Sequence, residues 1–149
     1  MKPLLRLAVL VLFVSVYSSA SAQIRKIPAE VTDAFTGKYP QATSVEWRDK
    51  LSGFTATFML DSATHIASFN NKGTWENTEI SINEDDLPSA VQDGFDKSKY
   101  AEWNVSETSR IEFPDAAQQY KIAVEKGDLK KRNLYFSEEG RLLKDKITL

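Results

Sequence analysis

The sequence predicts an α+β chain in which one unit, a short helix followed by a four-stranded antiparallel sheet, is used twice. Three observations carry that reading. Ile27 to Pro40 (IPAEVTDAFTGKYP) returns 60 positions later as Leu87 to Tyr100 (LPSAVQDGFDKSKY), with Pro28, Val31, Asp33 and Phe35 answered by Pro88, Val91, Asp93 and Phe95. Behind each of these stretches the apolar pattern changes from helical spacing to alternation. The alternating segments are parted by short turn sequences, so hairpins join them and the helices stay segregated from the strands.

The chain opens with Lys2 and Arg6, the apolar run Leu7 to Tyr17 and the small residues Ser18 to Ala22, the build of a secretory signal peptide over residues 1–22. Ala20 and Ala22 fit the small-residue cleavage site and leave Gln23 first. The apolar run falls short of the roughly 20 residues that span a bilayer, so no membrane insertion is expected after cleavage. A periplasmic or secreted location follows. Losing two bases and no acid moves the formal net charge from −2 to −4, which argues against nucleic acid as a partner. The sequence has no cysteine, so its core must hold without disulfides, which fits a bacterial periplasm better than an animal extracellular fluid. Asp61-Ser62-Ala63 resembles a bacterial O-glycosylation sequon over three residues only, and the Asn104-Val105-Ser106 sequon is read as incidental.

Residues 23–82 form the first predicted unit and residues 83–149 the second. In the first, Ile27, Val31, Ala34, Phe35 and Lys38 share one helical face, Pro28 suits the first turn and Pro40 ends the helix. Strands are predicted over Thr43 to Arg48, Phe54 to Leu60, Thr64 to Phe69 and Thr74 to Ile82, with Asn70-Asn71-Lys72-Gly73 as a hairpin turn. In the second, Leu87, Val91, Gly94, Phe95 and Ser98 repeat the face, and the helix fades near Tyr100. Glu84-Asp85-Asp86 places carboxylates beside the positive end of that helix. The remaining strands are Trp103 to Glu112, Gln119 to Lys126, Lys131 to Phe136 and Leu142 to Leu149. The two sheets are expected to join edge to edge, with both helices on one face and the other partly open.

Ile27, Pro28, Val31, Phe35, Tyr39 and Pro40, the strand residues Val45-Glu46-Trp47, and Phe69, Gly73 and Trp75 make a pattern that resembles the PepSY-like family of secreted bacterial proteins, also described as β-lactamase-inhibitor-like. Leu87, Pro88, Val91, Phe95, Val105, Phe136, Gly140 and Leu142 carry it in the second unit, where Lys97-Ser98-Lys99-Tyr100 departs from the Tyr-Pro ending. The resemblance implies a tandem of helix-plus-strands units with the architecture of β-lactamase inhibitor protein, and an exported location. It implies no agreed activity.

Chemistry is sparse. His65 is the only histidine and reads as a half-exposed strand residue; with no cysteine beside it, neither a zinc site nor a nucleophilic triad is expected. No phosphate-binding glycine loop is present, no cofactor is expected, and the chain reads as no enzyme. Binding is the better reading. Trp47, Trp75, Trp103, Tyr120 and Tyr135 put large aromatics on predicted strands, a candidate surface for another exported protein. The loops at Leu51 to Gly53, Asp61 to Ala63 and Pro114 to Ala117 flank it. The alternative is a hydrolase acting on glycan or cell-wall material through a pair of carboxylates.

Overall fold

The computed structural model describes residues 26–148; the predicted signal peptide lies outside the described residues. The elements run α1 (Ala29–Lys38), β1 (Thr43–Lys50), β2 (Gly53–Leu60), β3 (Ala63–Asn70), β4 (Trp75–Ile82), a 3-10 turn (Glu84–Asp86), α2 (Ser89–Asp96), β5 (Asn104–Glu112), β6 (Gln118–Lys126), β7 (Lys130–Ser137) and β8 (Leu142–Thr148). All eight strands form one antiparallel sheet in chain order. The four-stranded sheets expected from sequence are thus halves of a single sheet, joined where Thr78–Ile82 pair with Thr108–Glu112. The join satisfies two strand edges that would otherwise expose their backbone groups. No helix among the described residues is long and apolar enough to cross a membrane.

Both helices start the same way. Pro28 and Pro88 are extended, one step before the helix rather than in its first turn, and their carbonyls accept from Val31 and Thr32 and from Val91 and Gln92. A proline fixes φ there without removing a needed donor. Tyr39 leaves the helical region as the residue before Pro40 must. α2 stops at Asp96, four residues short of Tyr100: the Ser98 hydroxyl oxygen accepts the Tyr100 N–H and Ser98 N–H donates to Phe95, which turns the chain out of the helix. Glu84–Asp86 form their own turn, with Asp86 accepting from the Asn83 backbone and side-chain amides, instead of merely flanking α2.

Each helix buries two residues on the same face of the sheet, Val31 and Phe35 in α1 and Val91 and Phe95 in α2. The first pair meets Phe54, Ala56, Phe58, Ala67 and Phe69; the second meets Tyr120, Ile122, Val124, Leu134 and Phe136. Removing one such phenylalanine side chain costs about 3–5 kcal/mol. His65, expected half exposed, is buried and stacks on Phe58 at 5.3 Å, its Nδ1 3.1 Å from the Ala63 carbonyl. The hairpin turns lock onto the helices. Gly73 and Gly140 adopt φ of 79° and 80°, and a Cβ on them would lie 2.3 Å from the Glu30 carbonyl oxygen and 1.9 Å from that of Ala90. Glycine is required at both by conformation and by contact.

The chain just beyond each helix is pinned by a tyrosine. Tyr39 hydroxyl hydrogen-bonds Thr78 Oγ1, which also accepts from Trp75 Nε1 at 2.8 Å. Tyr100 hydroxyl donates to the Asp145 carboxylate, which also takes Arg132 Nη1 at 2.6 Å and has Lys99 Nζ at 3.9 Å. Burial pushes the Asp145 carboxyl up, but the bonds from Tyr100 and Arg132 and the charges of Arg132 and Lys99 hold it below the usual range.

Candidate functional site

Period-2 alternation and the strand register decide which side chains share each face. One row across the sheet reads Trp47, Ala56, Ala67, Thr78, and it lies under α1. The opposite face carries the row Glu46, Thr57, Ile66, Glu79, Ile111, Gln119, Ser137 and, beside it, Ser81, Ser109, Lys121, Tyr135, Lys144. The buried faces of both helices lie on the other side of the sheet. Its centre is nevertheless closed off from solvent, with Ser109, Ile111, Lys121 and Ser137 all buried.

Charge explains the closure. Lys121 reaches across the strands to hydrogen-bond Glu79 and lies 3.3 Å from Glu107, whose carboxylate also accepts from the Ser109 hydroxyl at 3.2 Å. Burial pulls the Lys121 ammonium down, but the bond and charge of Glu79, followed by those of Glu107, outweigh it and raise it above the ordinary lysine value. Among the described residues this is the one place where two carboxylates of the face share a partner. The Lys121 ammonium bridges the two carboxylates. Among the described residues no group of three or more His, Cys, Asp or Glu side chains gathers as metal ligands.

Next to this cluster a shallow groove of about 270 Å³ runs over Ile111 and Gln119 between Asn77, Glu79, Phe113, Tyr135, Lys144 and Lys146. Its floor sets the apolar Ile111 beside the polar Gln119, and its rim is cationic on the β8 side. Lys144 lowers the Lys146 ammonium from its ordinary value through its like charge, and the Lys146 Nζ sits 5.8 Å from the Tyr135 ring centroid. Two cations held this close favour the arrival of a carboxylate.

The aromatics predicted as a surface are not brought together. Trp47 is half-buried against Phe35, edge-on at 5.2 Å. Trp75 is half-buried, bonded to Thr78, with Lys38 Nζ 3.6 Å over its ring. Tyr120 is buried in the second core, its hydroxyl 3.3 Å from Gln118 Oε1, and Trp103 packs edge-on to Tyr100 at 5.1 Å. Tyr135 alone stands on the uncovered face. The irregularity between Ser68 and Phe69 accounts for Trp75: Phe69 pairs with Trp75 while Ser68 pairs with Asn77, so Glu76 is the extra residue and Trp75 turns to the helix side. Sequence reasoning passed over Ile111, Lys121, Lys144 and Lys146. Their signal is alternation in β5, β6 and β8, legible once the helix-facing partners are known.

The fold has known relatives. A BLIP-like protein from Bacteroides fragilis is 31% identical, with a TM-score of 0.72 over 85% of this chain and 90% of that one. A DUF2874 family protein from Bacteroides ovatus is 28% identical, with a TM-score of 0.75 over 83% and 89%. A protein from Bacteroides eggerthii described as a candidate periplasmic one shares the fold at 22% identity, with a TM-score of 0.76 over 83% and 90%. No curated protein matches the chain. The family model of the PepSY-like, beta-lactamase-inhibitor-like proteins matches residues 53–144, and with that match the chain belongs to this family.

Proposed function

We propose that this chain is an exported, non-catalytic binding module, built from two copies of one helix-plus-strands unit, that receives another exported protein on the uncovered face of its sheet. The observation that carries the reading is the groove over Ile111 and Gln119: the half-buried ring of Tyr135 beside two cations, Lys144 and Lys146, placed for a carboxylate-bearing loop. The signal-peptide pattern of residues 1–22 supports export, and the candidate periplasmic relative agrees with it. The BLIP-like name of one relative makes an exported β-lactamase the first partner to test.

The test is capture of partners by residues 23–149 from a periplasmic extract of the producing cell, with purified β-lactamase from the same cell in a second arm. The native chain should retain a discrete protein, and the Tyr135→Ala, Lys144→Glu double variant should lose it while melting at the native temperature. Equal capture by the two chains would move the interface off this face.

A further inference from the structure

The far end of the helix-covered face carries a second site. α2 stops at Asp96; beyond it come Tyr100 and Trp103, and across from them stand Leu129 and the first residues of β7. Between them lies a cleft of about 500 Å³, within the size range of small-molecule sites. Its lining is of two kinds. Lys99, Lys130, Lys131 and Arg132 are cationic, and Tyr100, Trp103, Leu129 and Ile147 are apolar.

Both halves are unusual for this chain. Leu129 and Ile147 are 95% and 69% exposed, two of its most exposed large aliphatics, and they border one cleft. The cations concentrate in a chain whose formal net charge is negative. Asp145 is already bonded to Tyr100 and Arg132 and faces Lys99, and Lys131 has Glu125 at 3.7 Å. Lys130 has no carboxylate within ion-pairing distance among the described residues. Arg132 and Lys99 also lie over the Tyr100 ring, at 5.6 Å and 5.1 Å from its centroid, which fixes charge beside an aromatic wall. Cations alone would suit any anion, and exposed aliphatics alone any apolar surface.

We propose that this cleft binds an amphiphilic anion, with a phosphate or carboxylate head on Lys130 and Lys99 and an aliphatic tail against Leu129, Ile147 and Trp103; the Lys131 side chain, paired with Glu125, turns to the other face of the sheet. The head can belong to a free amphiphile or to a lipid of an anionic bilayer; the chemistry is the same. The site lies on the opposite side of the sheet from the groove over Ile111 and does not depend on it.

Calorimetry with dodecyl phosphate below its micelle concentration tests the proposal, alongside inorganic phosphate, and sedimentation with phosphatidylglycerol or phosphatidylcholine vesicles identifies the source. Saturable binding of dodecyl phosphate that changes tryptophan emission in the native chain but not in Trp103→Phe is expected. Lys130→Glu with Lys99→Gln should weaken it about tenfold or more, and Leu129→Ser about threefold, at unchanged melting temperature. The Tyr135→Ala, Lys144→Glu variant should bind it as the native chain does. Binding of the free amphiphile alone marks a soluble ligand, and added sedimentation with phosphatidylglycerol vesicles marks a membrane lipid; both support the cleft. No saturable binding of dodecyl phosphate, inorganic phosphate binding as tightly as dodecyl phosphate, or undiminished binding by the lysine double variant would overturn it.

Discussion

The chain after each helix is anchored by a tyrosine, and the two anchors differ in kind. Tyr39 is tied to Thr78 and, through it, to Trp75, a neutral network under the first half of the sheet. Tyr100 is tied to Asp145, which also takes Arg132 and Lys99, an ionic network under the second. The hydrophobic packing around them is closely alike, with Val31 and Phe35 in one half answering Val91 and Phe95 in the other. Packing of the two halves is therefore interchangeable in a way their polar contacts are not. The charged anchor borders the basic cleft, while the neutral one has a single ammonium, Lys38, lying over its Trp75 and Tyr39 rings.

The largest effect should be common to both halves. Gly73→Ala and Gly140→Ala each force a side chain into a left-handed turn and onto a helix carbonyl, and each should cost about 3 kcal/mol in denaturant unfolding. A marked inequality would break the likeness in packing. The anchors should then separate. Asp145→Asn leaves Arg132 and the Tyr100 hydroxyl without their ionised partner and should lower stability, whereas Thr78→Val strands the Trp75 Nε1–H and breaks the bond to the Tyr39 hydroxyl for about 1–2 kcal/mol; only the first loss should shrink with added salt.

Acid sharpens the contrast. Asp145 is held below its ordinary value of 3.8, so its contribution is present above that value and is lost as pH falls through the lower, folded one. The unfolding midpoint should drop across that window in the native chain, and the drop should be smaller in Asp145→Asn. At the alkaline end the sign reverses: burial raises Tyr39 above 10.0, so the folded state keeps a proton that the unfolded chain releases, and stability falls as pH passes upward from that value. Tyr39→Phe should remove that part of the alkaline slope. Lys121→Met on the uncovered face takes the shared cation from Glu79, itself only 21% exposed, and from Glu107, and should cost about 3 kcal/mol in denaturant unfolding.

Much of this was legible in the sequence. The turn glycines, the helix-opening prolines and the alternation of Phe54, Ala56 and Phe58 place all eight strands to within one or two residues, since each rests on local chemistry. The site was less legible, because it depends on register. Trp75 alternates with Asn77 and Glu79 in sequence, yet one extra residue at Glu76 sends it to the other face. Likewise Tyr100 and Asp145 are distant in the chain, and no local pattern announces that they bond. The early end of α2 had a local cause in Ser98, but one that competes with a helical reading of the same residues.

The central claim is that the uncovered sheet face receives a protein, and the absence of native cysteine makes it directly testable. A single cysteine introduced as Gln119→Cys in the groove, or as Asp33→Cys on the outer side of α1, would carry a photoactivatable cross-linker into a periplasmic extract. A cross-linked exported protein from the Gln119→Cys chain and none from Asp33→Cys is the predicted result. Cross-linking from Asp33→Cys with none from Gln119→Cys would place the partner over the helices and contradict the account.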